Sequence, residues 1–221
     1  MNCCAVSGTD KFFSKYARQY EKYFRQKGLR PEQRHLVAGI RALGFANADL
    51  LEIGCGIGGL HLSLLKEGAS RAFGFDISER MIAGARQLAR EMGLEARTEY
   101  RHGDFVMTHT TAPEAEIAML DKVLCCYENV RELIAASTTK ARRVYAVSYP
   151  RESTWVRRFF RTGIFFCKLF RVSFHPHYHS PKEIVRLINA AGFELAYERH
   201  TFIWAVQVFQ RKRDRADRGK F

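Results

Sequence analysis

The stretch "DLLEIGCGIGGL", Asp49 to Leu60, sets an apolar run with one embedded glutamate directly ahead of Gly54, Cys55, Gly56, Gly58 and Gly59. A short apolar run bounded by glycine reads as a buried strand. The glycines supply what a chain needs where φ turns positive or where a ligand touches bare backbone. The helix that starts behind them presents unpaired N–H groups. The stretch therefore predicts strand, glycine turn and helix, the ligand-binding corner of an open α/β sheet.

On either side of that corner the pattern is consistent. Downstream, the runs "RAFGFDI" (71–77), "TEYRHGD" (98–104), "IAMLDKVL" (117–124) and "RRVYAVSYP" (142–150) alternate with helical stretches at 60–67, 79–92 and 129–136. Such alternation predicts a parallel sheet wrapped by helices. "SPKEIVRLINAAGF" predicts another helix, with Ser180 and Glu183 as a capping box, Pro181 at the first helical position and Gly192 as the stop. The two runs after it, "ELAYERHTF" and "WAVQVFQRK", are joined too tightly for a crossover and should pair antiparallel. Upstream, Phe12, Phe13, Tyr16, Tyr20, Tyr23 and Phe24 recur at spacings of three and four, predicting an aromatic-faced helix with Asp10 as N-cap and Gly28 as stop. Pro31 opens a second helix that runs toward Gly44.

With 221 residues, 47% apolar and 27% charged, the chain can bury the core of one domain and is not a disordered polymer. "MNCCAVSGTDKFF" has no apolar core of a signal peptide, and no apolar run reaches bilayer length, which predicts a cytoplasmic protein. The six cysteines include no C-x-x-C pair and are expected to be reduced thiols. "HPHYH" would line His175, His177 and His179 along one side of an extended chain, but Pro176 and the lack of a nearby carboxylate argue against a metal site. The net charge of +13 permits a nucleic-acid or anionic-membrane partner without requiring one. Much of that excess lies in "QRKRDRADRGK" (210–220), which reads as a solvated tail over 212–221.

Gly54, Gly56 and Gly59 satisfy G-x-G-x-x-G, and Asp76 ends the next strand, so the dinucleotide fingerprint is formally met. Glu52 separates the alternatives. A carboxylate inside the strand, two residues before the turn, would repel a pyrophosphate but can support a sulfonium and an ammonium group. Asp76 can accept both hydroxyls of a ribose, Asp104 in "HGDF" an adenine amino group with Phe105 packed near the base, and Asp121 closes a fourth strand. Four acidic residues at the carboxyl ends of four consecutive strands converge on the edge where open α/β sheets hold ligands.

These motifs resemble those of the class I S-adenosylmethionine-dependent methyltransferases: "LLEIGCGIGGL", "FGFDIS", "HGDF" and "AMLDKVL" stand where that family has its successive cofactor motifs. The resemblance implies a Rossmann-like, doubly wound seven-stranded sheet, mostly parallel with an antiparallel last strand and helices on both faces. It implies a catalytic domain over 48–211, a helical lid over 1–47, and S-adenosylmethionine as cofactor. Glu52, Gly54, Gly56 and Gly58 would then line the cofactor pocket with Asp76, Ile77, Asp104, Phe105 and Asp121. "LDKVLCCYENVRELI" with "ARRVYAVSYPR" is further similar to the magnesium-protoporphyrin O-methyltransferase group and its uncharacterised bacterial relatives. Those porphyrin enzymes typically carry histidine before the motif's tyrosine, whereas Cys126 precedes Tyr127 here, which puts the porphyrin acceptor in doubt.

For the acceptor side, Tyr127 is expected to face the transferred methyl, and His175 is the candidate general base. Cys125 and Cys126 lack the preceding proline of RNA cytosine-C5 methyltransferases, and the Pro-Pro-aromatic motif that grips a base amine is absent, both arguing against nucleic acid. The inserted segment 151–179 interleaves Arg157, Arg158 and Arg161 with Trp155, Phe159 and Phe160. It reads as a substrate cover packed on the sheet, with peripheral membrane contact through 154–174 as its second reading. The resulting expectation is methyl transfer, chiefly to oxygen, on a small apolar or aromatic acceptor. The alternatives are a non-catalytic S-adenosylmethionine-binding protein, an RNA methyltransferase and a nicotinamide oxidoreductase. Oligomeric state is not legible.

Overall fold

A computed structural model describes residues 3–169 and 176–212. Seven strands form one sheet in the order β3-β2-β1-β4-β5-β7-β6. They are β1 (Leu50–Ile53), β2 (Ala72–Asp76), β3 (Thr98–His102), β4 (Ala115–Asp121), β5 (Ala141–Pro150), β6 (Phe193–His200) and β7 (Trp204–Arg211). Strands β1 to β5 pair in parallel, and β7 runs antiparallel between β5 and β6. The expected Rossmann-like sheet is present, and its strand order reverses between β1 and β4. That reversal opens a crevice at the strands' carboxyl ends.

The helices are α1 (Cys3–Lys27), α2 (Pro31–Ala42), α3 (Gly59–Lys66), α4 (Glu79–Glu91), α5 (Phe105–Thr108), α6 (Val130–Thr138), α7 (Thr154–Leu169) and α8 (Pro181–Ala190). Alternation along the strands sorts the core into two layers. Leu50, Ile117, Met119, Val144 and Val208 pack with α2, α3 and α4 on one face. Leu51, Ile53, Ala118, Tyr145 and Phe209 pack with α6 and α8 on the other. By the same alternation Glu52 points into the first layer. In α3, Leu60, Leu62, Leu64 and Leu65 are all essentially inaccessible to solvent, while Ser63 is half-buried and Lys66 exposed, so most of the helix behind the glycine turn is packed into the core. Each such leucine contributes about 2 kcal/mol of burial.

Two local expectations are corrected. Helix α1 begins at Cys3, so Asp10 is no N-cap: it lies inside the helix and accepts from Ser14 Oγ at 2.9 Å. No glycine or proline interrupts 3–7, and the helix continues through it. Ser180 precedes α8, but its hydroxyl makes no capping bond, and Glu183 pairs with Arg131 on α6. Pro181 already sets the first turn, and a guanidinium is a stronger partner for the carboxylate than a backbone N–H.

The N-terminal helices are tied to the carboxyl edge of the sheet. Ser14 Oγ meets Ser78 Oγ at 2.8 Å, and Gly84 on α4 leaves room for Glu21, whose Oε1 lies 2.5 Å from where a Cβ would stand. Gln33 on α2 accepts from the Arg30 N–H at 3.0 Å and donates to Asp121 Oδ2 at 2.9 Å, so one side chain joins the start of α2 to the tip of β4. Helix α7 follows β5 with Val156 and Phe160 buried, and Trp155 exposed on its outer side. Among the described residues, no helix is long and apolar enough to cross a membrane.

Candidate active site

Gly54, Gly56 and Gly58 all have positive φ, at 65°, 54° and 79°. Two reasons fix them. A Cβ on Gly54 would stand 2.4 Å from Val123 Cγ2, whereas one on Gly56 would meet nothing nearer than Met81 Sδ at 4.0 Å and would project into the space above the turn. That space is a cavity of about 450 Å³ at the switch point. Its floor is formed by Glu52, Gly54, Gly56, Asp76 and Ile77, and its walls include Asp104, Phe105 and Asp121. Of the residues assigned to the pocket from sequence, Gly58 alone does not line it. Its Cβ would instead stand 2.9 Å from the ring of His61.

The four carboxylates are brought to one edge, each held differently. Asp76 Oδ2 accepts from the Gly56 N–H at 2.7 Å and Oδ1 from the Ser78 N–H at 2.8 Å, which orients the group across the turn. Burial raises its pKa to about 6 against the pull of those two N–H bonds. Glu52 Oε2 takes His61 Nδ1 at 2.6 Å and the His61 N–H at 3.2 Å. Burial raises the Glu52 pKa also, opposed by His61. Asp104 caps α5 through the Val106 N–H at 3.0 Å. Asp121 accepts from Ser148 Oγ at 2.5 Å and from Gln33.

Tyr127 lines the cavity, but its hydroxyl donates to Asp104, 3.2 Å from each oxygen. Burial and the neighbouring carboxylate raise its pKa, so it is a donor and not a base. His175 lies outside the described residues. Its neighbours Pro176 and His177 line the cavity, the His177 N–H donates to the Cys125 carbonyl at 2.7 Å, and His179 Nε2 lies 2.8 Å from the Tyr127 carbonyl. Residues 176–179 are thereby laid along the 125–127 loop. Among the described residues no group of histidine, cysteine or carboxylate side chains could hold a metal ion. Cys55, Cys125 and Cys126 are free thiols; burial beside Asp76 and Glu52 pushes Cys55 up, and the hydrogen bond with Cys125 together with burial pushes Cys126 up, both toward the inert thiol.

Opposite the carboxylates the lining is aromatic: Phe12, Tyr20, Tyr23 and Phe24 from α1, Phe160 from α7 and Trp204 from β7. Residues 50–147 match the methyltransferase domain family. Over that span, just under half of its length, the chain carries a methyltransferase domain. Its fold is that of the class I, S-adenosylmethionine-dependent enzymes. The chain is similar in structure to the magnesium protoporphyrin IX methyltransferase of Synechocystis with bound S-adenosylhomocysteine, at TM-score 0.73 and 20% identity, covering 92% of this chain and 98% of that one. It is also similar to a TehB-like S-adenosylmethionine-dependent methyltransferase from Corynebacterium glutamicum, at TM-score 0.63 and 14% identity over 91% and 99% of the two chains. A third similar structure is the complex between the Haloferax volcanii Trm112 activator and a methyltransferase, at TM-score 0.69 and 12% identity over 92% and 97%. No curated protein matches the chain in sequence.

Sequence reading missed the residues that fix the carboxylates. Lys122 takes φ 61°, unusual for a residue with a side chain, and donates Nζ to buried Glu32 at 2.8 Å while lying 3.5 Å from Asp121. His61 and Tyr100 likewise support Glu52 from behind. Only "LDK" carried a signal, since it sets Lys122 beside a strand-tip aspartate.

Proposed function

We propose that this methyltransferase transfers a methyl group from S-adenosylmethionine to an oxygen of a small apolar or aromatic acceptor. The observation that carries the reading is the two-sided cavity, with carboxylates and bare backbone on the sheet edge and aromatic side chains from α1, α7 and β7 across from them. The residues fit the cofactor. Asp76 is pre-oriented to accept two ribose hydroxyls, with Ile77 beside it. Asp104 and Phe105 suit an adenine amino group and ring. Glu52 and the Gly54–Gly56 backbone suit the amino-acid end, and Asp121 completes the acidic edge.

The cofactor, when bound, supplies an activated methyl on a sulfonium. The protein's work is then alignment and water exclusion. Helices α1 and α2, the proposed lid of 1–47, bring Phe12, Phe24 and Arg30 over the crevice, where Arg30 lies 4.1 Å from the Tyr23 ring centroid. The inserted segment 151–179 adds Phe160 and His177. Tyr127 fixes Asp104 through its hydroxyl, and its ring walls the acceptor space. Where the acceptor oxygen keeps its proton at working pH, the base comes from the "HPHYH" segment, with His175 the residue assigned from sequence. Of the basic stretch 212–221 assigned from sequence as a tail, residues 213–221 lie outside the described residues.

Incubating the purified protein with methyl-labelled S-adenosylmethionine and a small-molecule extract tests this reading. It predicts label in a low-mass, apolar, O-methylated product. Label that is recovered in nucleic acid and released by nuclease would overturn it, as would cofactor binding with no transfer to any fraction.

A further inference from the structure

Behind Glu52 runs a buried polar chain. Glu52 and His61 are 2% and 0% exposed and Tyr100 is 8% exposed. His61, on the first turn of α3, places Nδ1 at 2.6 Å from Glu52 Oε2, and its Nε2 lies 2.8 Å from the Tyr100 hydroxyl. Tyr100 reaches there from β3, across β2. Two glycines make the crossing possible. A Cβ on Gly74 would stand 2.7 Å from the Tyr100 ring, and one on Gly58 would stand 2.9 Å from the His61 ring and 3.2 Å from the Tyr100 hydroxyl. Five positions, Glu52 on β1, Gly74 on β2, Tyr100 on β3, His61 on α3 and Gly58 in the turn before it, are thus committed to one chain of contacts that ends at the cavity.

The direction of the protons follows from the chemistry of the three groups. Burial holds the Tyr100 hydroxyl in its protonated form. An ionised Glu52 can only accept, so Nδ1 carries a ring hydrogen toward it, and the Tyr100 O–H then donates to Nε2. In that arrangement both ring nitrogens of His61 have a partner, and the chain of contacts ends on the Glu52 carboxylate. Buried without such a donor, that carboxylate would take up a proton and lose its orientation.

We propose that His61 and Tyr100 are positioning residues for cofactor recognition: through the sequence Tyr100 O–H to His61 and His61 Nδ1–H to Glu52, they hold Glu52 as an oriented anion that binds the ammonium group of the cofactor's amino-acid end. The proposal rests on the reading of this cavity as an S-adenosylmethionine site and assigns a task to residues that touch no ligand.

The test is calorimetric titration with S-adenosylhomocysteine, which carries the amino-acid end, and 5′-methylthioadenosine, which keeps ribose and adenine but lacks it. The parent protein is expected to prefer S-adenosylhomocysteine. His61→Leu should cut that preference about tenfold and leave 5′-methylthioadenosine binding intact, the loss expected for a charge-assisted hydrogen bond. Tyr100→Phe should cut it about threefold. His61→Asn, whose amide N–H can stand where Nδ1 stood, should restore it. The proposal is overturned if His61→Leu and Tyr100→Phe leave the preference unchanged, if both ligands weaken equally, or if His61→Asn behaves as His61→Leu. Should His61→Leu not fold, Tyr100→Phe and His61→Asn decide. A parent protein that binds neither ligand would refute the cofactor reading itself, and a parent that binds both without preference would refute only the role of Glu52.

Discussion

Asp76 sits at the tip of β2 with a pKa raised to about 6 by burial, while its two oxygens accept from Gly56 and Ser78. Its folded pKa lies above that of an unfolded aspartate, so the folded state holds the proton more tightly between about pH 4 and pH 6. Stability attributable to this group is present below pH 4 and is lost as pH rises through about 6, by about 3 kcal/mol. The ligand works in the opposite direction, because two ribose hydroxyls donate best to the ionised carboxylate. Affinity for S-adenosylhomocysteine should therefore fall as pH drops below about 6, by up to about tenfold per unit. Calorimetry across pH 5 to 8 checks this, with Asp76→Asn expected to bind weakly and with little pH dependence. The strand-tip aspartates were legible because each stands at a fixed place relative to its own strand. The groups that hold them were not. Gln33 reaches Asp121 and Lys122 reaches Glu32 across 88 and 90 residues of chain, and neither distance leaves a local pattern. Tyr127 was legible as a cavity residue but not as the partner of Asp104, for the same reason.

Helix α2 shows how an element can be dictated by what it packs on. Gly39 lies mid-helix, where alanine would normally gain about 1 kcal/mol of helix propensity. Here a Cβ would stand 2.6 Å from both Tyr197 on β6 and Val208 on β7. Gly39→Ala should therefore destabilise the protein, by about 2 kcal/mol after the neighbours shift. Chemical denaturation should show a lower midpoint. An increase in stability would mean that α2 does not approach the sheet this closely. The strands and long helices were legible from alternation and from the three-and-four spacing of aromatic residues. Helix α5 was not, being four residues long and set by the Asp104 cap. The Ser180 capping box was legible in composition and wrong in fact, since Glu183 had Arg131 available on a neighbouring helix.

At the scale of the whole molecule, the sheet edge, α1 with α2, and α7 enclose one cavity, although they come from three separate parts of the sequence. The glycine turn and the acidic tips announced a nucleoside-binding edge. A lid over 1–47 and a cover over 151–179 were expected, but not which of their side chains reach the cavity, because periodicity shows which face is apolar and not what that face meets. The methyltransferase reading depends on this enclosure accepting an adenosyl sulfonium and not a dinucleotide. Titration of the purified protein with S-adenosylhomocysteine and, separately, with NAD tests that most directly. The account predicts saturable binding of S-adenosylhomocysteine at one site, weakened at least about tenfold by Asp76→Ala, and no binding of NAD. Binding of NAD in preference to S-adenosylhomocysteine, or affinity for the latter untouched by Asp76→Ala, would contradict it.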